Sequence, residues 1–358
     1  MIDVSKGRYW DLPLSLVDGC TPCSPGCDHC WSAGIAHHYR RTPKHDGLKT
    51  VPLLTDDRGR FNGEVFTKAE RLSIPMKRRK STVYSLWNDL YHEEVPDDFR
   101  DQAYAVTAFS PWHSFLVLTK RPEGMRRYWK SIFLTKNVDD AKCKLMGAMP
   151  DQGRSVDAYI GEEDSGYFEG GHLMNVYHGL TVCNQQEADE KIPVFLQVPG
   201  KKFLSIEPML GPIDLTPPER RGTNCNLDEW LEELDLIIAG AETGAGARPL
   251  HPEWVRAIRD RCENRTDMGR PWALPFFFKG WGEWIAPTDL NEDFSNCEPK
   301  GASFGPDRIK WLAPDGSARN IGEGLKRDGD QIVVRVGKKE SGRLLDGREH
   351  NELPWVKP

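Results

Sequence analysis

The 358-residue sequence has no apolar run approaching the ~18 residues that a membrane-spanning helix needs, so no transmembrane helix is expected. Its first residues, MIDVSKGRYW, lack the basic-then-apolar order of a secretory signal, so none is expected. There is no excess of basic charge: 48 Lys and Arg stand against 54 Asp and Glu, a net −6. That excludes a generally basic nucleic-acid coat and leaves only a local patch for such contacts. No internal repeat and no low-complexity tract is present. Gly244-x-Gly246 is not followed by Lys-Ser/Thr, so it is not read as a nucleoside triphosphate loop. Nine cysteines, an odd number, in a long chain without an export signal argue against a disulfide framework. What remains is a globular composition, 38% hydrophobic and 28% charged, long enough for two domains or one large α/β barrel.

Four of the cysteines fall within eleven residues, Cys20-Thr-Pro-Cys23-Ser-Pro-Gly-Cys27-Asp-His-Cys30. Thiols this dense in a reducing compartment point to metal. A structural zinc site usually takes two ligand pairs separated by a long spacer, and here no second pair exists. An iron–sulfur cluster takes thiolates at short loop spacings. Cys23-x3-Cys27-x2-Cys30 supplies three, which would leave one iron of a four-iron cluster open to an external ligand. Zinc stays as the alternative. The x3/x2 spacing resembles that of the radical S-adenosylmethionine (SAM) superfamily, in which the open iron binds the amino and carboxylate groups of SAM.

Seven short apolar runs read as strands: 12–17, 82–87, 115–119, 179–183, 202–207, 235–240 and 274–278. Most lack two-residue alternation, which suits parallel strands buried on both faces. Helical patterns lie between them. Residues 97–109 place Phe99, Ala103, Val106 and Phe109 on one stripe; 252–263 start at Pro252 and place Trp254, Val255, Ile258 and Cys262 on another. Alternating strands and helices predict an incomplete (βα) TIM-type barrel of about six to seven parallel strands, over residues 1–284. The cysteine loop precedes a helix expected from Trp31 to Tyr39 and follows the first strand, at the strand end where such folds place their sites. Residues 137–177, rich in Gly and acidic residues, read as an insertion over the site. Residues 285–358, polar with one β-like run at 331–337, read as a C-terminal extension packed on the barrel.

Longer stretches resemble a phage-encoded family of radical-SAM-like proteins, catalogued as a domain of unknown function. They include GCTPCSPGCDHCW (19–31), NDLYHEEVPDDF (88–99), LVLTKRPEGM (116–125), FLSIEPMLGPIDL (203–215), IIAGAETGAGARPLHPEWVRAIRD (237–260), LPFFFKGWGEW (274–284) and RVGKKESGRLLDGREHNELP (335–354). The family's pattern, Cys-x6-Cys-x2-Cys, maps onto Cys20, Cys27 and Cys30; the wider superfamily's maps onto Cys23, Cys27 and Cys30. The resemblance therefore implies a [4Fe-4S] cluster on Cys20, Cys27 and Cys30, with Cys23 as the alternative third ligand. Cys23, Asn88 and Cys183 depart from the family's usual residues.

The resemblance also implies SAM as cofactor and a 5′-deoxyadenosyl radical that abstracts hydrogen from an unactivated carbon. Asn88, Asp89 and Lys120 are candidates for the amino and carboxylate groups of SAM, since a carboxylate suits an ammonium and a lysine a carboxylate. Asn184 and Glu207, after the fourth and fifth strands, are candidates for the ribose, and Glu242 lies in a Gly-rich loop after the sixth. Each has a plainer role open to it: Asp89 as a helix cap, Lys120 as a solvated cation, Glu207 as a strand end. His29 and Trp31 flank the cluster loop and could shield it or touch adenine.

The family context implies a DNA substrate. One such reaction is an isomerisation in thymidine hypermodification that moves a glycyl attachment from nitrogen to carbon. It also implies an electron donor such as flavodoxin and a location in the host-cell cytoplasm. Residues 67–80 carry six basic residues and one acidic, and 89–101 carry six acidic and one basic. These read as a compensated surface or as a phosphate strip with His and Trp nearby for base stacking. Trp281 and Trp284 could line a substrate mouth. The competing functions are a radical SAM enzyme on a small molecule or peptide, and a non-enzymatic zinc protein.

Overall fold

The computed structural model describes residues 2–41, 54–133, 168–169, 172–222, 229–263, 273–289, 306–321 and 324–355. All seven apolar runs are strands of one sheet. They are β1 (Leu12–Leu14), β2 (Val83–Leu86), β3 (Ser114–Thr119), β4 (Val176–Thr181), β5 (Lys201–Ile206), β6 (Leu236–Ala239) and β7 (Phe276–Phe278). Their order in the sheet is their order in the chain, and every neighbouring pair is parallel. The sheet curls into a half-barrel, in keeping with the incomplete barrel expected.

Parallel neighbours require crossovers, and helices supply them. They are α1 (Trp31–Arg41), α2 (Asp97–Ala108), α3 (Pro122–Phe133), α4 (Gln185–Phe195) and α5 (Pro252–Glu263). Pro122 and Pro252 open their helices at the first position, where a missing N–H costs nothing. In α3, Met125, Tyr128, Trp129 and Ile132 recur at three- and four-residue intervals and are all buried. In α5 the buried stripe is Trp254, Val255, Ile258 and Cys262, as the spacing predicts. These stripes join Tyr84, Phe115, Leu204 and Phe278 of the strands in the larger core. Alternate strand residues, Val83, Leu116, Phe203, Ile238 and Phe277, belong to a second core. That core is closed by Tyr9, Trp10, Leu353 and Trp355 from the two ends of the chain.

Three boundaries differ from expectation. The first run stops at Leu14. Val17–Gly19 leaves the main sheet and pairs antiparallel with Val65–Thr67, a two-stranded ribbon whose strands flank the cysteine loop in the chain. β4 begins at Val176, inside the residues assigned to the insertion. His178 and Tyr177 look polar in sequence, but the ring of His178 packs on Trp129 and that of Tyr177 on Trp355. Residues 137–167 of that insertion lie outside the described residues. The C-terminal extension holds more than one strand: Trp284–Ile285, Gln331–Arg335, Ile309–Leu312 and Ala318–Asn320 form an antiparallel sheet in that order. Its last residues return to the barrel, where Phe278 N–H donates to His350 C=O at 3.1 Å along the β7 edge. Among the described residues β1, at the other edge, pairs only with β2.

Candidate functional site

The carboxyl ends of the strands face the cysteine loop, residues 20–30. Ser24 starts its one short 3-10 turn, accepting from Gly26 N–H at 3.2 Å. Ser24 Oγ also shares a hydrogen bond with Cys183 Sγ, just beyond β4, at 3.6 Å. Gly26 lies so close to this strand end that an added Cβ would sit 2.5 Å from Cys183 Sγ and 3.1 Å from Pro208 Cδ.

Two arginines hold the loop, one at Thr21 and one at Pro25. Arg121, after β3, donates to Thr21 C=O (2.7 Å), Asp89 Oδ2 (3.0 Å) and Cys20 Sγ (3.7 Å), and its Nε to the Glu93 carboxylate (3.1 Å). Arg248 forks onto Glu242 (2.9 and 2.6 Å) and reaches Pro25 C=O (2.9 Å). His29 Nδ1 donates to the same Glu242 carboxylate at 2.9 Å. Burial raises the Glu242 pKa, but Arg248 and His29 more than offset it and hold the carboxyl below its usual range.

The four thiols sit in different electrostatic settings. Cys23 donates its S–H to Cys27. This holds Cys27 down to about 6 against the effect of burial and pushes Cys23 up. Burial, with the Asp89 charge, pushes Cys20 up to about 11 against Arg121. Burial also raises Cys30. Cys20, Cys27 and Cys30 are half-buried, whereas Cys23 is exposed. Cys20 and Cys30 pack on one small apolar cluster with Ala33, Leu54 and Phe61. Among the described residues, no three His, Cys, Asp or Glu side chains are arranged to hold a single metal ion. A cluster presents each thiolate to a different iron and does not need convergence on one point. The thiol-only donor set on one loop, with cations beside it, fits such a group.

The residues selected from the sequence separate into three groups. Lys120 faces the thiols. Burial acts to lower its pKa, but the sulfurs of Cys183, Cys27 and Cys30 and the Glu187 carboxylate outweigh this and raise it. Among the described residues, no group hydrogen-bonds its ammonium. Asp89 and Glu242 are beside the loop but already engaged. Asp89 accepts from Arg121, Thr119 Oγ1 (2.7 Å), Tyr91 N–H (2.9 Å) and Lys120 N–H (3.2 Å). Asn88, Asn184 and Glu207 have structural partners. Asn88 takes the left-handed conformation (φ 61°), donates to Val17 C=O and accepts from Ser32 Oγ, each at 2.7 Å. Asn184 caps α4, accepting from Glu187 N–H at 2.9 Å. Glu207 is ion-paired with Lys279, after β7. Sequence reasoning missed Arg121, Arg248 and Lys279. For Arg121 and Lys279, a position just past a strand's carboxyl end was an available signal.

A cleft of about 460 Å³ opens beside the loop, lined among others by Thr21, Cys23, Lys120, Arg121, Arg127 and Lys191. Trp281 and Trp284 do not line a mouth. Both are buried, and their indoles donate to Leu344 C=O and Ala247 C=O. Among the described residues, the ion pairs made by the two charge runs do not join one run to the other. Lys68 and Arg71 lie by Asp18 (3.3 and 3.8 Å), Asp89 and Glu93 by Arg121, and Asp97 by Arg100. Exposed Lys77, Arg79 and Lys80 lead into the amino end of β2.

The model of one protein family, described as proteins of unknown function (DUF5131), matches residues 5–354. The chain belongs to the DUF5131 family. The match spans both the half-barrel and the C-terminal sheet, so the cysteine loop and the segment that returns to β7 fall within one family unit. No curated protein and no solved structure matches this DUF5131 chain. Among its described residues no helix is long and apolar enough to cross a membrane.

Proposed function

We propose that this DUF5131 protein is a radical SAM enzyme that acts on a nucleic-acid base or base adduct. The observation that carries the chemistry is a loop of thiols at the carboxyl ends of a parallel half-barrel, beside a lysine whose ammonium has no hydrogen-bond partner among the described residues. When bound, a reduced four-iron cluster and SAM supply a 5′-deoxyadenosyl radical that removes hydrogen from an unactivated carbon. Cys20, Cys27 and Cys30 are the proposed ligands. All three are half-buried, and Cys20 and Cys30 share one apolar cluster. Cys23 is the alternative third ligand, because Cys23-x3-Cys27-x2-Cys30 keeps the wider superfamily's spacing.

Lys120 is the residue left to hold a carboxylate beside the thiols, and its ammonium stays charged there. Arg121 and Arg248 keep the loop in place through Thr21 and Pro25. Glu242 orients Arg248 and His29 and is a positioning residue. The base or adduct as substrate, and an isomerisation of a glycyl-thymine in DNA as its reaction, rest on the resemblance to phage-encoded proteins. The test is anaerobic incubation of the reconstituted protein with SAM and a strong reductant. Release of 5′-deoxyadenosine, lost in Cys27→Ala and reduced in Lys120→Ala, is expected. SAM left intact by a protein that holds iron and sulfide would overturn the reading. For the isomerase step, a shifted nucleoside peak on chromatography of digested DNA is expected at unchanged mass.

A further inference from the structure

We propose that the open edge of the sheet, from Arg8 to Trp31, is the path along which a single-stranded nucleic acid reaches the cysteine loop. The proposal deepens the substrate part of the reading above and rests on it for the reacting base. The path itself is argued from the edge.

Three indoles form a continuous edge-to-face ladder there. Trp10 and Trp87 have ring centroids 5.8 Å apart, and Trp87 and Trp31 4.8 Å apart. Trp10 precedes β1, Trp87 follows β2, and Trp31 opens α1 immediately after Cys30. The ladder therefore starts before the edge strand and ends at the residue that follows Cys30. Its far end is fixed by Asn88, whose amide ties the Ser32 hydroxyl beside Trp31 to Val17.

These indoles are used differently from most others in the chain. Those of Trp112, Trp129, Trp254, Trp281, Trp284 and Trp355 each donate to a carbonyl or hydroxyl oxygen. Those of Trp10, Trp31 and Trp87 have no partner among the described residues. Trp31 is 48% exposed. A large apolar ring with an unused N–H, held at a surface beside a reactive loop, is suited to an aromatic ligand with polar edges.

The charge at the other end selects the class of ligand. The Arg8 guanidinium lies 5.4 Å over the Trp10 ring and is exposed. Arg79 and Lys80 are exposed just before β2, whose Val83 is tied to Asp11 by two 2.8 Å hydrogen bonds. Asp11, the acid at this spot, turns its carboxylate to the Val83 N–H. Cations at one end and aromatic faces leading away from them are the elements of a single-strand platform. Phosphates meet the cations, and unpaired bases stack on the rings without regard to sequence. A duplex keeps its bases paired and cannot use the ladder.

The test is a polarisation titration of the full, anaerobically reconstituted protein with a labelled thymidine oligonucleotide of about twelve residues, at low and moderate salt. A duplex of the same length and a polyglutamate peptide are the competing arms. Binding of the single strand in preference to both is expected. Trp31→Ala is expected to weaken it about ten-fold. Arg8→Glu combined with Lys80→Glu is expected to lower the logarithmic salt slope by roughly one to two. Iron content and thermal melting of the Trp31 variant are read alongside, so that weaker strand binding with both retained is assigned to the ring itself. Absence of single-strand binding, equal binding of the duplex, or affinity unaffected by all three substitutions overturns the proposal. Tighter capture of polyglutamate overturns it in favour of an acidic protein partner. A protein that binds the strand but leaves SAM intact sinks the proposed chemistry and leaves the path standing. One that cleaves SAM but binds no strand sinks the path alone.

Discussion

Replacing Arg121 with Met removes a side chain that ties the ends of β2 and β3 to the cysteine loop. The Arg121 and Asp89 side chains are 9% and 8% exposed, so their 3.0 Å contact is a buried ion pair. In the variant Asp89 keeps its three N–H and O–H donors but loses its counter-charge. Removing one partner of a buried pair costs about 3–5 kcal/mol, chiefly because the other charge is left uncompensated. Glu93 is 68% exposed, so its part of the network contributes only about 0–1 kcal/mol. The expected loss is therefore about 3–5 kcal/mol in urea unfolding under reducing, anaerobic conditions. Adding Asp89→Asn removes the stranded charge and is expected to recover about half of it or more. A loss below about 1 kcal/mol in the single variant, or no recovery in the double one, refutes the reasoning. The variant also loses the bond to Thr21 C=O, so weaker retention of iron by the loop should accompany it.

Gly26→Ala places a Cβ against Cys183 Sγ and is expected to cost about 1–3 kcal/mol of stability. Adding Cys183→Ala should restore most of that, which a denaturant titration of the two variants checks. Cys27 becomes the reactive thiolate as pH rises through about 6, whereas Cys20 and Cys183 do so only near about 11. Iodoacetamide labelling of the iron-free protein, read by peptide mass, should therefore modify Cys27 first at pH 7, and Cys23→Val should move its midpoint upward. Asn88→Ala keeps the left-handed backbone without the side-chain bonds, so it should be about 1–2 kcal/mol less stable than Asn88→Gly. Equal stability of the two would show that φ at this position is not constrained.

The strands and the site's location were legible because burial on both faces leaves apolar runs. In β2, β4, β6 and β7 every residue is buried. The stripe of α5 was legible for the same reason. The antiparallel pairing of Val17–Gly19 with Val65–Thr67 was not, because each strand is three residues long and the two are far apart in sequence. The C-terminal sheet was only partly legible, since its short strands mix Lys, Arg and Asn with apolar residues. At the site, the sequence marked which residues stand at strand ends but not which are already engaged. That Asn184 caps a helix, Asn88 bridges to Val17, and Glu207 pairs with Lys279 depends on neighbours distant in the chain. Arg121 was not singled out, because only the folded loop turns it toward Thr21 and Cys20.

The central claim is a cluster on Cys20, Cys27 and Cys30, and the most direct measurement is metal and sulfide content with a visible spectrum. It would be made anaerobically on the wild-type chain and on Cys20→Ala, Cys23→Ala and Cys27→Ala. The account requires about four irons and as many sulfides per chain in the wild type and in Cys23→Ala, and their loss from Cys20→Ala and Cys27→Ala. Iron kept by Cys20→Ala and lost by Cys23→Ala would move the third ligand to Cys23. Zinc with no iron in the wild type would contradict the account and leave the loop a structural metal site.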